Sequence, residues 1–224
     1  MERILEPEVM DTWEEAIAYD AMDFAEVNTL FAQQALALGP NAGTILDVGT
    51  GTARIPILIG QQRPEWQITA IDLAENMLKI ARENVKKAGL QHQICLEIVD
   101  AKQMPYQNGQ FDFVISNSIV HHLPEPLPFF QELKRILKPN GGIFLRDLLR
   151  PIDIATMNKL VDNIGLEYDQ QQKKLFRDSL NAAFTLEEIT EIIEKAGVEN
   201  IKIYQSSDRH WTAEKAWVND TKNG

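Results

Sequence analysis

The sequence predicts an α/β domain, an open sheet flanked by helices, on three observations. Ile45–Ile57 reads Ile-Leu-Asp-Val-Gly-Thr-Gly-Thr-Ala-Arg-Ile-Pro-Ile, an apolar run carrying one acid, then a tight Gly-Thr-Gly turn and the start of a helix. Three further runs of strand length, Ile68–Asp72, about Gln93–Val99 and Phe111–Asn117, end at or just before polar residues. Between the first two of these, Ala74–Leu90 repeats apolar residues at helical spacing, with Met77, Ala81, Val85 and Ala88 on one stripe. Strands alternating with helices are the pattern of a sheet covered by helices.

The remaining elements follow in chain order. Thr12–Ala18 reads as a short helix and Phe24–Leu38 as a longer one, stopped by Gly39-Pro40. Beyond the strands above, a helix is expected near Ile152–Ile164 and another from Gln170 toward Leu180. Thr185-Leu186-Glu187-Glu188 is a capping-box signature for a helix ending at Gly197. Asn200–Gln205 and His210–Val218 alternate like two strands joined through residues 206–209. No Pro/Gly/Ser-rich linker divides the chain, so residues 1–224 are expected to form one domain. Its parts are a helical segment over 1–40, a core over 41–150, and helices with a closing strand pair over 151–224.

Composition narrows the function classes. The chain is 44% hydrophobic and 25% charged, as ordinary globular proteins are. No run of 18 or more apolar residues is present, so no membrane span is expected. The first residues are acidic and carry no signal-peptide apolar core, which makes the expected compartment cytoplasmic. Thirty-three acidic against 22 basic residues give a net charge of −11, which disfavours nucleic acid and leaves a small molecule or a protein surface as the expected partner. The single cysteine, Cys95, falls in a run expected to be buried and reads as inert packing.

The Gly-Thr-Gly turn identifies the ligand class. Glycine at 49 and 51 permits positive φ and leaves the backbone bare, and the following helix offers free N–H groups to an anionic group. Spacing separates the candidates. A phosphate-binding P-loop needs Gly-Lys-Ser/Thr, which is absent. A dinucleotide fingerprint needs a third glycine where this chain has Arg54, so a nicotinamide-dependent oxidoreductase is not expected. What remains is Asp-x-Gly-x-Gly, Asp47 to Gly51, which resembles the first motif of class I S-adenosylmethionine-dependent methyltransferases; Ala53 stands where family members often carry a further glycine.

The resemblance continues over residues 40–150. Asp72, 21 residues after Gly51, resembles the family's ribose-binding acid, and Ala74 departs from a frequent capping Ser. Asp100-Ala101 resembles the segment that reads adenine, and Phe111–Asn117 resembles the fourth strand with its functional tip. Leu137–Gly142 resembles the turn before a fifth strand, Ile143–Asp147. The resemblance implies a Rossmann-like, seven-stranded, mostly parallel sheet with one antiparallel strand, helices on both faces and an N-terminal helical lid. It implies S-adenosyl-L-methionine as cofactor, held by Asp47, Gly49, Thr50, Gly51, Asp72, Leu73, Asp100, Ala101 and Asn117. It also implies a lid that shapes an acceptor pocket; Tyr19, Asp20, Met22 and Asp23, between the two helices, either face that pocket or only stitch the lid to the core, and a homodimer is left open.

The chemistry of a sulfonium methyl donor asks mainly for alignment of an acceptor, with a base only where that acceptor must lose a proton. His121 and His122, after the fourth strand, are the candidates for that base, although structural roles remain open for both. No Cys, Asp or Glu lies at a ligand spacing beside them in sequence, so no metal is expected. Gly-x-Ser-x-Gly and His-Glu-x-x-His are both absent. The expectation is methyl transfer to a small molecule by in-line displacement. The alternative is a non-catalytic protein that binds the same cofactor for regulation or assembly.

Overall fold

The computed structural model describes residues 1–6, 11–22, 24–164 and 168–219. Helix α1 (Trp13–Asp20) opens with a capping box: the Thr12 hydroxyl accepts the Glu15 N–H, and the Glu15 carboxylate accepts the Thr12 N–H. Helix α2 (Ala25–Leu38) stops at Gly39, where a Cβ would lie 2.6 Å from the ring of Trp66. That indole is fully buried and donates to the Pro40 carbonyl at 2.9 Å, so the loop after α2 is shaped around it.

The core then runs β1 (Gly43–Val48), α3 (Arg54–Gly60), β2 (Trp66–Asp72), α4 (Glu75–Ala88), β3 (Ile94–Ile98) and β4 (Phe111–Asn117). A one-turn 3-10 segment, Val120–His122, leads to α5 (Leu127–Ile136) and β5 (Leu137–Leu148). Helices α6 (Ile154–Asp162), α7 (Gln170–Ala182) and α8 (Leu186–Ala196) precede the closing pair β6 (Lys202–Gln205) and β7 (His210–Lys215). The seven strands form one sheet in the order β3-β2-β1-β4-β5-β7-β6. All pairs through β5 are parallel, and β7 runs antiparallel to both β5 and β6. This is the sheet implied by the family resemblance.

Alternation along the strands sends side chains to two separate cores. Leu46, Val48, Val114, Ile143 and Leu145 meet α5 and α8 on one face. Ile45, Ile68, Phe113, Ile115 and Phe144 meet α2, α3 and α4 on the other. Parity therefore decides which face each strand-end residue serves. Asp47 shares the parity of Ile45, and Asp147 that of Ile143 and Leu145, so the two acids emerge on opposite faces.

The structure corrects two expectations. Cys95 is exposed, not buried, because β3 is the sheet's edge strand and its outward positions have no helix over them. β5 begins at Leu137 rather than Ile143, since Leu137 already pairs with Phe111 before a register shift carries Phe113 to Gly142. Ala74 gives no side-chain cap to α4, as its chemistry requires, but the missing acceptor arrives from the N-terminal segment: Asp11 Oδ1 accepts the Asn76 N–H at 2.9 Å. Both cap-forming sequences read from the C-terminal third are present as helix starts or stops, Thr185 as N-cap and Gly197 as a left-handed C-cap.

Candidate functional site

Strand order reverses between β1 and β4, because β2 and β3 lie on one side of β1 and β4 on the other. In such sheets the carboxyl ends of the strands at the reversal frame a crevice. Two adjoining cavities open there, of about 130 and 710 Å³. The smaller is bordered by Gly49, Gly51, Asp72, Leu73, Asp100, Ala101, Asn117 and His122. Asp47 and Thr50 border the larger, with Gly49 and Asn117 common to both. All nine residues expected to hold a cofactor thus surround one rim.

The turn itself is fixed by backbone bonds. The N–H groups of Gly49 and Thr50 both donate to the Ile71 carbonyl at 2.9 Å, tying the turn to β2. Gly49 has φ +74°, and a Cβ there would sit 1.8 Å from Ile119 Cγ2. Glycine is required at that point by both conformation and space. Ala53 takes the left-handed conformation without being glycine, at φ +62°, and caps the start of α3.

Asp72 is held from two sides. Its Oδ2 accepts the Gly51 N–H at 2.7 Å, and its Oδ1 accepts the Ala74 N–H at 2.9 Å. Burial pushes its pKa up, and those backbone donors oppose the rise. Each oxygen keeps a second acceptor site, on one rigid carboxylate aimed along the cavity. Asp100 Oδ1 accepts the Lys102 N–H at 2.8 Å and pairs with Lys102 Nζ at 3.1 Å.

Asp47 is only 2% exposed, and its Oδ2 has no hydrogen-bond partner of good geometry. Burial pushes its pKa up to about 7, with the nearby Thr50 hydroxyl opposing and Asp72 adding to the rise. A buried carboxylate with a vacant acceptor is a site for a cation or donor. Tyr19, at the end of α1, borders both cavities. The residue is 36% exposed, yet its pKa is pushed up to about 12 by desolvation and by Asp72, Asp47 and Asp20.

Asp20 and Met22 border the larger cavity as expected; Asp23 lies outside the described residues. Asp20 ties the end of α1 to α3 and α4. Arg54 grips it bidentately, Nε to Oδ1 at 2.9 Å and Nη2 to Oδ2 at 2.7 Å, and Asn84 Nδ2 donates to Oδ1 at 3.0 Å. Burial would raise the Asp20 pKa, but the donors from Arg54, Thr52 and Asn84 hold it low. Arg54, at the third-glycine position, therefore anchors the end of α1.

The two histidines part company. His122 borders the smaller cavity, whereas His121 borders neither and is 4% exposed. His121 Nδ1 lies 2.5 Å from Oδ1 of Asp147, which is fully buried and also accepts the Val120 N–H at 2.5 Å. Burial alone would lower the His121 pKa; Asp147 and then Glu6 raise it. The Asp147 pKa is lowered, because His121 outweighs the burial that opposes ionisation. Glu6, whose own pKa burial raises, stands 3.4 Å from His121 Nε2 and 3.1 Å from His122 Nδ1.

Sequence reasoning missed Glu6, Asp147, Arg54 and Ser118 as parts of this region. Ser118 borders the smaller cavity at φ +61°, a conformation its residue type does not signal. Glu6 and Asp147 are at least 25 residues from the histidines in opposite directions, so no local spacing could join them.

Comparison with known proteins agrees with this geometry. The profile of a family described as "Methyltransferase domain" matches residues 46–145, from β1 to β5. A demethylmenaquinone methyltransferase of Listeria welshimeri is 35% identical over 108 residues, 48% of this chain and 45% of that relative. Over residues 46–145 the chain carries a methyltransferase domain, and its likenesses support a class I S-adenosylmethionine-dependent methyltransferase. As a methyltransferase-family fold it superposes on a candidate S-adenosyl-L-methionine-dependent methyltransferase from Methanococcus maripaludis, with TM-score 0.74 and 20% identity over 99% of both chains. A methyltransferase structure from Aquifex aeolicus gives 0.64 and 22%, covering 92% of this chain and 99% of that one. These two likenesses concern the fold. The chain spans about half the length of the curated relatives it matches first. No helix among the described residues is long and apolar enough to cross a membrane.

Proposed function

We propose that this methyltransferase-family protein transfers the methyl group of S-adenosylmethionine to a small-molecule acceptor. The observation that carries the reading is the gathering of the bare Gly49–Gly51 backbone with Asp72, Asp100 and Asn117 around one cavity at the switch point, with Asp47 beside it. The residues fit the cofactor. Gly49 and Gly51 both have positive φ and no side chain, and the vacant Asp47 Oδ2 suits an ammonium. Bound there, the sulfonium would supply an electrophilic methyl carbon, leaving the protein to orient and desolvate.

The residue roles follow from position. Asp47, Gly49, Thr50 and Gly51 hold the methionine end, and Asn117, common to both cavities, lies where they meet. Asp72, oriented by two backbone donors, accepts from the ribose diol, with Leu73 beside it. Asp100 and Ala101 take the adenine edge. The 710 Å³ cavity under α1 and α2 receives the acceptor; its size is that of ordinary small-molecule sites. The name of the Listeria relative, a demethylmenaquinone methyltransferase, supports a small organic acceptor. The net charge of −11 argues against a nucleic acid. Where the acceptor must lose a proton, His122 is the histidine at the cavity, and His121 acts only by positioning.

Isothermal titration with the demethylated product, S-adenosylhomocysteine, tests the reading. Binding is expected, and Asp72→Ala should weaken it by roughly 1.5–3 kcal/mol, the range for hydrogen bonds to a charged group. Absence of binding to the unaltered protein refutes the assignment. Binding without turnover on any small acceptor would favour the non-catalytic alternative.

A further inference from the structure

We propose that Glu6, His121 and His122 form a binding site for a divalent transition cation of the zinc class. This goes beyond the methyl-transfer reading and does not depend on it.

Three potential ligand atoms converge: Glu6 Oε1, His121 Nε2 and His122 Nδ1 all lie within 4.8 Å of one another. Two edges of that triangle are 3.4 and 3.1 Å. Metal–ligand bonds of about 2.0–2.1 Å in tetrahedral geometry set ligand atoms about 3.3 Å apart, a separation that falls between the two edges. Charge-assisted N–H···O bonds run shorter, about 2.7–2.9 Å. Consistent with this, Glu6 Oε1 is buried and makes no hydrogen bond, although two imidazole nitrogens face it. A buried anionic oxygen left in this way calls for a cation between it and the rings.

The surrounding groups are those that orient metal ligands. Asp147 takes the Nδ1 side of His121, which turns Nε2 toward the cluster; carboxylate–histidine–metal chains use this arrangement. Glu6 Oε2 accepts the Ser179 hydroxyl at 3.2 Å, fixing the plane of the carboxylate. The segment bearing Glu6 is itself tethered, since Arg3 donates to the carbonyls of Ala182, Leu123, Pro124 and His121 at 2.6–3.1 Å. Two imidazoles and one carboxylate suit zinc-like ions better than magnesium or calcium, which prefer all-oxygen shells. Because His122 also borders the smaller cavity, the fourth position falls to water or to a donor atom of a molecule held there.

The test is metal uptake by the full chain, without an affinity tag and stripped with chelator. Titration with Zn²⁺ by calorimetry, and with Co²⁺ by visible absorption, should show one equivalent and a tetrahedral cobalt spectrum. Glu6→Gln and His122→Ala should each weaken Zn²⁺ binding at least about 100-fold, since loss even of outer-shell partners costs 10–100-fold. Cys95→Ser should leave it unchanged, because Cys95 lies on the far edge strand. No uptake by the unaltered protein would overturn the proposal and leave a proton shared among these groups. Uptake that survives both ligand substitutions, or is lost in Cys95→Ser, would equally overturn it as adventitious surface binding. Circular dichroism of each variant separates a lost ligand from a lost fold, and the unaltered protein's titration stands whatever the variants do.

Discussion

Replacing Asp47 with Asn should stabilise the protein at neutral pH while weakening its cofactor affinity. Burial raises the Asp47 pKa in the folded chain to about 7, against 3.8 for the free group. The raised value means the folded state holds its proton more tightly than the unfolded chain. Stability from this residue is therefore fully present below pH 4 and declines as pH rises toward 7, with no further change above that. At 1.36 kcal/mol per pKa unit, a rise of about 3 units amounts to roughly 4 kcal/mol as an upper limit. Between pH 5 and pH 8 the difference in stability between Asp47→Asn and the unaltered chain should grow by roughly 3 kcal/mol. Urea denaturation of both proteins across that range measures it. Asp20, whose shift does not involve Asp47, is common to both proteins and cancels in the difference, and Tyr19, pushed up to about 12, does not titrate in this range; the coupling of Asp72 to Asp47 is part of the effect measured. Over the same range the variant should bind S-adenosylhomocysteine more weakly by roughly 1.5–3 kcal/mol, because a charged acceptor has been removed. A stability difference independent of pH would refute the claim that this acid is buried without a partner. Unchanged affinity would refute its place in the site.

Two further outcomes follow from the geometry of the turn and lid. Gly49→Ala must adopt φ +74° and place a methyl group 1.8 Å from Ile119, so a loss of about 2–5 kcal/mol is expected from left-handed strain plus overpacking. Chemical denaturation measures that loss, and Ile119→Ala in the same chain should recover the steric part only; a loss under about 0.5 kcal/mol would contradict the packing. Arg54→Met should release Asp20 and speed amide exchange across α1, while global stability changes by no more than about 1 kcal/mol because the pair is partly exposed. Unaltered exchange in α1 would mean that the pair is no latch.

The sequence by itself determined the alternation of strands and helices, because each element satisfies its own backbone and shows its buried face at a period of two or 3.6. It determined the Gly-Thr-Gly turn for the same local reason: glycines 49 and 51 carry their conformational meaning without neighbours. Capping at Thr185 and Gly197 was legible on those terms. Burial was not, since Cys95 lies in an apolar run and is exposed only because β3 ends up as an edge. Arg54 was legible as a misfit for a dinucleotide, but its bond to Asp20 needs the end of α1 brought beside α3. Only the tertiary structure decided that His121 faces inward to Asp147 while His122 reaches the cavity. Only it brought Glu6 to both rings. Such contacts depend on strand order and parity across the sheet, and no short window of the chain contains either.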